Sequence, residues 1–366
     1  MPPQNQDSET QVATVTTPTA APVKNALFHE VQHAKFEHPE LLSTLPPTTY
    51  DPIPVLPYED RAFKADPTFK NLLADATVTH LEPKIGSEIS GLQLHELTDA
   101  QKDELALLIA QRGVVFFRDQ KITAEQQLDL GSYYGPLHIQ QNLPHTEKYP
   151  EMLVVENSVA TSAAVLKRHQ FDPVSAWHTD VSYERQPPAY TLFKVLTTPD
   201  VGGDTLWACG YEAYDRLTPA FKKFIEGLVA VHSGKSQADH AIEAGHIVRR
   251  PVVEFEHPVV RTHPVTKRKA LFVNAAFTKR IKNLSSSESA SRADFEDAVL
   301  RFLYKHVAEG HEFQARFHWT KNAVAIWDNR STFHYATFDY LPGNRHAVRV
   351  TPHGEVPYFD PDSTSP

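Results

Sequence analysis

Apolar residues recur at two periods along this chain, and the change of period divides it into elements. After Thr98 they fall three and four apart, and Leu105, Leu108 and Ile109 share one face of a predicted helix. Thr98 with Gln101 three residues on is the pattern of a capping box, and Gly113 supplies a C-terminal stop. A second helix is predicted over 123–134, where Thr123 and Gln126 stand in the same relation. Between the two, Val114-Val115-Phe116-Phe117 is a β-branched and aromatic run that predicts a buried strand. Two short strands with turns are predicted over 77–94, which has glycines at 86 and 91. A surface helix is predicted over 212–228, bracketed by Thr218, Pro219 and Glu226. Another is predicted over 287–308, where Phe295, Val299, Phe302 and Leu303 recur. Within 178–208 strands are predicted after the opening motif, 254–277 read as strand-turn-strand with Thr266-Lys267-Arg268 as the turn, and 312–351 as short strands. No repeat of fixed period is present. Strands on both flanks with helices clustered between them suit a mainly β fold with flanking helices. The expected architecture is a double-stranded β-helix, or jelly roll, with helices on one outer face.

Other stretches lack a period. Residues 1–24 are rich in Gln, Thr, Pro and Ala and are too poor in large apolar residues to offset the entropy of ordering. Residues 25–76 carry prolines at 39, 46, 47, 53, 54 and 57 and read as an extended arm with no chemistry of its own. The expected partition is a tail and arm over 1–76, one domain over 77–357 and a short tail over 358–366. Within the domain, 146–176 read as an irregular lid and 229–250 as a second mobile flap.

Composition narrows the function. Apolar residues make up 41% of 366, enough for a substantial core. A net charge of −9 with dispersed Lys and Arg argues against nucleic acid as the main partner. Cys209 is the single cysteine, so no intrachain disulfide is possible and the chain needs no oxidising compartment. It reads as a small core residue. There is no apolar run of about 18 residues and no basic-then-apolar leader, so no membrane partner is expected and the cytoplasm is the expected compartment.

The chemistry centres on Trp177-His178-Thr179-Asp180-Val181. On a strand, His178 and Asp180 would share a face and could grip one metal ion. Far downstream lies Trp327-Asp328-Asn329-Arg330-Ser331-Thr332-Phe333-His334, and His334 could supply a third ligand. Two imidazoles and one carboxylate on one side of a metal leave open positions, the signature of non-haem Fe(II) oxygenases. Trp177 and Trp327 read as core packing. After a turn at Pro342-Gly343 come Arg345, eleven residues past His334, and Arg349 four residues later, on one face if both lie on one strand. A zinc hydrolase would also use His and Asp but would not need this Arg pair. Gly202-Gly203 is not followed by Lys-Ser/Thr and reads as a tight turn, not a phosphate loop.

These motifs, with Gly202-Gly203-Asp204-Thr205 between them, resemble those of the taurine/2,4-D dioxygenases, Fe(II)- and 2-oxoglutarate-dependent enzymes. The resemblance covers roughly residues 77–357 and is nearest to the taurine and fungal sulfonate dioxygenases. It implies the jelly roll and a metal set of His178, Asp180 and His334. It implies that Arg345 and Thr205 hold the distal carboxylate of 2-oxoglutarate. Arg349 matches the residue that holds the substrate anion, Val181 a backbone contact to it, and Phe277 an aromatic wall of the pocket. The chain departs from the family where taurine dioxygenases have a His, here Gln140, and a Tyr, here Leu143; an Asn of theirs falls near Val174. The implied reaction is hydroxylation of an organic sulfonate beside sulfur, with O2 as co-substrate. Sulfite and an aldehyde are released with succinate and CO2. The same chemistry on an alkyl sulfate, an aryloxy acid or a secondary metabolite, and a non-catalytic jelly-roll binding protein, are the other readings. The resemblance also implies a homo-oligomer.

Overall fold

Alternation along three central strands sorts side chains to two faces of one large sheet. Val114 and Phe116, Ala325 and Trp327, and Phe193 and Val195 join one buried cluster. Their neighbours Val115 and Phe117, Val324 and Ile326, and Tyr190 and Leu192 join another on the opposite face. The computed structural model describes residues 36–157, 173–282, 284, 290–340 and 343–363. Among these, the large sheet has nine strands. From edge to edge they are Ser43–Thr44, His145–Thr146, Leu153–Asn157, Arg345–Val350, Tyr190–Thr197, Val324–Asp328, Val114–Phe117, Ser87–Ser90 and Thr77–His80. A three-stranded sheet of Gln314–Phe317, Thr205–Cys209 and Thr332–Ala336 completes the jelly roll. Between the sheets Trp207 lies 5.1 Å from Phe116 and 5.6 Å from Trp327, ring centre to ring centre, in edge-on contacts that aromatic pairs favour.

Both predicted capping boxes form, at Thr98 with Gln101 and Thr123 with Gln126, and start helices Asp99–Arg112 and Ala124–Tyr134 on the outer face of the large sheet. The long helix Ala290–Ala308 instead packs into the inner cluster through Val299, Leu300, Leu303 and Val307, so helices do not all lie on one face. Its Phe295 and Phe302, predicted for the core stripe, are about half exposed, at 52% and 49%.

Several expectations need correction. The lid over 146–176 contains the strand Leu153–Asn157, which pairs in register with Arg345–Val350; its 158–172 lie outside the described residues. The helix over 212–228 is two helices, Gly210–Asp215 and Pro219–Ile225. Thr218 caps the second and Pro219 lacks the N–H that would continue the first. The flap over 229–250 is ordered: Val229–Ser233 is the middle strand of a further three-stranded sheet, and Lys235–Glu243 is a helix.

The arm has a role the sequence reading did not assign. Residues 1–35 lie outside the described residues, but Asp60 is 1% exposed and joins the motif corner from below. It accepts from Arg330 Nη1 at 2.5 Å and from Tyr190 Oη at 3.0 Å. Arg330 also binds Asp328, whose Oδ2 contacts His263 at 2.9 Å. Removing one member of a buried ion pair leaves an uncompensated charge and costs about 3–5 kcal/mol. Asp60→Ala is therefore expected to lower the unfolding free energy by an amount in that range, less what Asp328 compensates, read as a lower urea midpoint. A midpoint equal to wild type would show that the arm does not hold this corner.

Candidate active site

The metal motif is not on a regular strand. His178 forms an isolated antiparallel bridge with His334: its N–H donates to His334 O at 3.1 Å, and its carbonyl accepts from His334 N–H at 2.8 Å. The chain then turns, and Val181 adopts φ 37°, a value rare for a β-branched residue and typical of strained functional sites. The bridge sets the two imidazoles 4.2 Å apart, tilted by 48°, and the turn brings Asp180 close to both. Ligating atoms of His178, Asp180 and His334 all lie within 4.8 Å of one another. Asp180 Oδ1 is 3.9 Å from His178 Nε2 and 3.7 Å from His334 Nε2. His178 Nδ1 faces Ala176 O at 2.8 Å; donating there leaves Nε2 with its lone pair toward the centre.

Electrostatics keeps His334 and Asp180 in metal-binding form. Burial, then the neighbouring His178, push the His334 pKa down to about 3. Burial by itself would raise the Asp180 pKa, but Arg349 and the two imidazoles outweigh it and hold the carboxyl at about 2. At neutral pH the site therefore offers a neutral His334 imidazole and a carboxylate, the protonation states that bind a cation.

Arg345 and Arg349 do share a face, on the strand Arg345–Val350. The register irregularity lies opposite, where His346 faces Thr197 and Ala347 faces Val195, so the extra residue is in the neighbouring strand. Arg349 Nη1 donates to Asp180 Oδ1 at 2.5 Å. A substitution at Arg349 thus disturbs the Asp180 carboxylate as well as any substrate anion, and does not isolate the substrate contact.

Arg345 is 2% exposed and reaches across to Thr205 on the facing sheet, Nη2 to Oγ1 at 3.3 Å. Its Nε has no partner among the described residues. The nearby Asp204 is occupied by Arg316 Nε at 2.6 Å and His318 Nδ1 at 2.8 Å. A buried guanidinium so placed calls for an external anion. Thr205 Oγ1 also accepts from Trp319 Nε1 at 2.9 Å. Both partners can only donate, so the Thr205 proton remains for an acceptor such as a carboxylate. The turn before it, Gly202 and Gly203 at φ 81° and 71°, is the tight turn expected.

The remaining residues expected at the substrate wall are placed by the following contacts. Phe277 lies edge-on to His178 at 6.2 Å and to Tyr183 at 5.0 Å, in a buried cluster with Val181. Gln140 is buried, and its Nε2 donates to Gln237 Oε1 at 3.3 Å. Tyr183 Oη donates to the same oxygen at 2.8 Å. Leu143 is half-buried, and its carbonyl accepts from Arg249 Nη2 at 2.6 Å. Val174 does not join this wall; it lines a small cavity with Tyr304, Val307 and Phe333. Sequence reasoning missed Thr191, Trp319, Gln237 and Arg249. Only the position of Trp319 two residues past a strand carried any signal, since none of the four falls in a motif.

A jelly roll that holds two histidines and an aspartate beside a buried, anion-seeking arginine defines a mononuclear non-haem oxygenase. The chain belongs to the taurine catabolism dioxygenase TauD, TfdA family, whose model matches residues 77–351. It is 43% identical over 338 residues to the alpha-ketoglutarate-dependent sulfonate dioxygenase of Saccharomyces cerevisiae, covering 89% of this chain and 80% of that protein. It is 41% identical over 323 residues to the alpha-ketoglutarate-dependent dioxygenase cnsM of Penicillium expansum, covering 84% and 88%. The crystal structure of a taurine dioxygenase from Burkholderia xenovorans superposes with a TM-score of 0.65 at 30% identity, covering 79% of this chain and 94% of that one. Fe(II) and 2-oxoglutarate are the family's cofactor and co-substrate. The residues fit both: three convergent donors, and a buried guanidinium whose Nε has no partner among the described residues. Among the described residues no helix is long and apolar enough to cross a membrane.

Proposed function

We propose that this enzyme hydroxylates an organic sulfonate on the carbon next to sulfur. The observation that carries the reaction class is the buried Arg345, without a carboxylate partner among the described residues, across from Thr205 and on the same strand face as Arg349, which bonds Asp180 of the His178, Asp180 and His334 cluster. His178, Asp180 and His334 would hold Fe(II), and Arg345 with Thr205 would hold the distal carboxylate of 2-oxoglutarate. Bound together, the two supply an oxidant by oxidative decarboxylation to succinate and CO2, with one atom of O2 entering succinate and the other the substrate. The chain's own part is placement and exclusion of water. Arg349 would hold the anionic head group, with the Val181 N–H beside it, and Phe277 would close one side. Hydroxylation breaks a C–H bond next to sulfur; the hydroxysulfonate then loses sulfite and leaves an aldehyde.

Support for a sulfonate comes from the 43% identity to the yeast sulfonate dioxygenase and from Arg349 beside the metal set. Leu143 stands where taurine dioxygenases have a Tyr and offers an ammonium group no acceptor. A neutral polar group buried without a partner costs roughly 1–3 kcal/mol, and an ionised one more. Taurine is thus expected to be about tenfold or more poorer in kcat/KM than pentanesulfonate, with sulfite and succinate formed one to one. Assay of both products over a panel of sulfonates and alkyl sulfates checks this. Taurine outperforming pentanesulfonate would overturn the pocket reading. Succinate coupled to a sulfate ester, with no sulfite from any sulfonate, would move the enzyme to the second substrate class.

A further inference from the structure

The orientation of the Asn329 side chain can be deduced from its partners. Trp327 Nε1 lies 3.0 Å from Asn329 Oδ1, and an indole N–H can only donate, so the atom facing it must be the amide oxygen. Nδ2 then faces Thr191 Oγ1 at 2.7 Å. An amide NH2 also only donates, so the threonine hydroxyl accepts at that end. Its one proton is left for Asp180 Oδ2, 2.8 Å away. The relay is sealed: Asp180, Thr191, Asn329 and Trp327 are all no more than 2% exposed. Asn329 fixes the loop as well, since its carbonyl accepts from Thr179 Oγ1 at 2.6 Å and its Oδ1 lies 3.4 Å from Asp180 N.

We propose that Asn329, acting through Thr191, selects which oxygen of Asp180 meets the metal. The hydroxyl holds Oδ2 as an acceptor and turns Oδ1, the atom near both imidazole Nε2 atoms and the one to which Arg349 Nη1 donates at 2.5 Å, toward the ion. Thr191 and Asn329 are positioning residues: neither touches the reacting atoms. The inference rests on His178, Asp180 and His334 being the metal ligands. Thr191 comes from the large sheet and Asn329 from the loop before His334, so the relay ties the carboxylate to both chain segments that frame the site.

The test is an anaerobic titration of the metal-free protein with Fe(II), and with Mn(II) followed by electron paramagnetic resonance. Thr191→Val keeps the shape and removes the hydroxyl. It is expected to raise Kd roughly 10–100-fold, as loss of an outer hydrogen bond to a metal ligand does. It should also shift the visible band of the Fe(II)–2-oxoglutarate complex. Thr191→Ser should restore both. Asn329→Asp turns the donor into an acceptor that draws the threonine proton away from Asp180, and should weaken metal binding too. In an Asn329→Ala background, Thr191→Val should cost less than in wild type. Wild-type protein that binds neither metal would refute the ligand assignment itself. Wild-type binding with unchanged Kd and band in Thr191→Val, or in Asn329→Asp should the valine variant not fold, would overturn the relay alone. Fully additive losses would likewise overturn action through Thr191.

Discussion

His178→Ala, Asp180→Asn and His334→Ala are each expected to abolish the weak visible band that forms when Fe(II) and 2-oxoglutarate are added without O2. The three donors converge on one small volume and no other described residues form such a cluster. His334 is 7% exposed and Asp180 2%, so water replaces a deleted ligand poorly. The asparagine variant is the better choice at 180. Asp180 accepts from Thr191 and from Arg349, and alanine would leave both donors buried and unpaired. Metal content after anaerobic loading and desalting gives an independent reading. A variant that keeps both the band and the metal would strike its residue from the ligand set.

Arg345→Ala is expected to leave Fe(II) binding nearly intact while weakening 2-oxoglutarate severely. Truncating one partner of a buried, hydrogen-bonded charge pair costs about 2–5 kcal/mol, roughly thirty- to several-thousand-fold in affinity. Thr205 and the rings of Phe193 and Trp319, 5.4 and 5.8 Å from the guanidinium, line the place where the head group sits. None can replace its charge. Arg345→Lys should recover little, because an ammonium lacks the planar fork that matches a carboxylate. Calorimetric titration with 2-oxoglutarate in the presence of Fe(II) under argon separates the two effects. Unchanged affinity in Arg345→Ala would remove this residue from the co-substrate site.

Much of this site could be read along the chain because its rules are local. A capping box needs residues only three apart, so Thr98 with Gln101 and Thr123 with Gln126 located two helix starts. The period of a strand is two, so Arg345 and Arg349 had to share a face once they lay on one strand. The motif spellings around His178 and His334 marked the metal set although 156 residues separate the two.

Local rules fail where a partner comes from elsewhere in the chain. A strand would have put His178 and Asp180 on one face; what places His178 is a bridge to His334, followed by a turn that Val181 makes at positive φ. The Pro-rich arm gave no hint of Asp60, whose burial has meaning only against Arg330, 270 residues away. Thr191 is an ordinary strand threonine until the turn sets Asp180 over its hydroxyl. Gln237 lies on a helix that read as a flap, and it faces Gln140 and Tyr183 only because the intervening sheets bring them together. Sequence determined the elements and the chemically capable residues, since periodicity and capping act over a few residues. Tertiary structure alone decided which buried donor met which acceptor, since those pairings follow from how the two sheets, the arm and the loops close over the same volume.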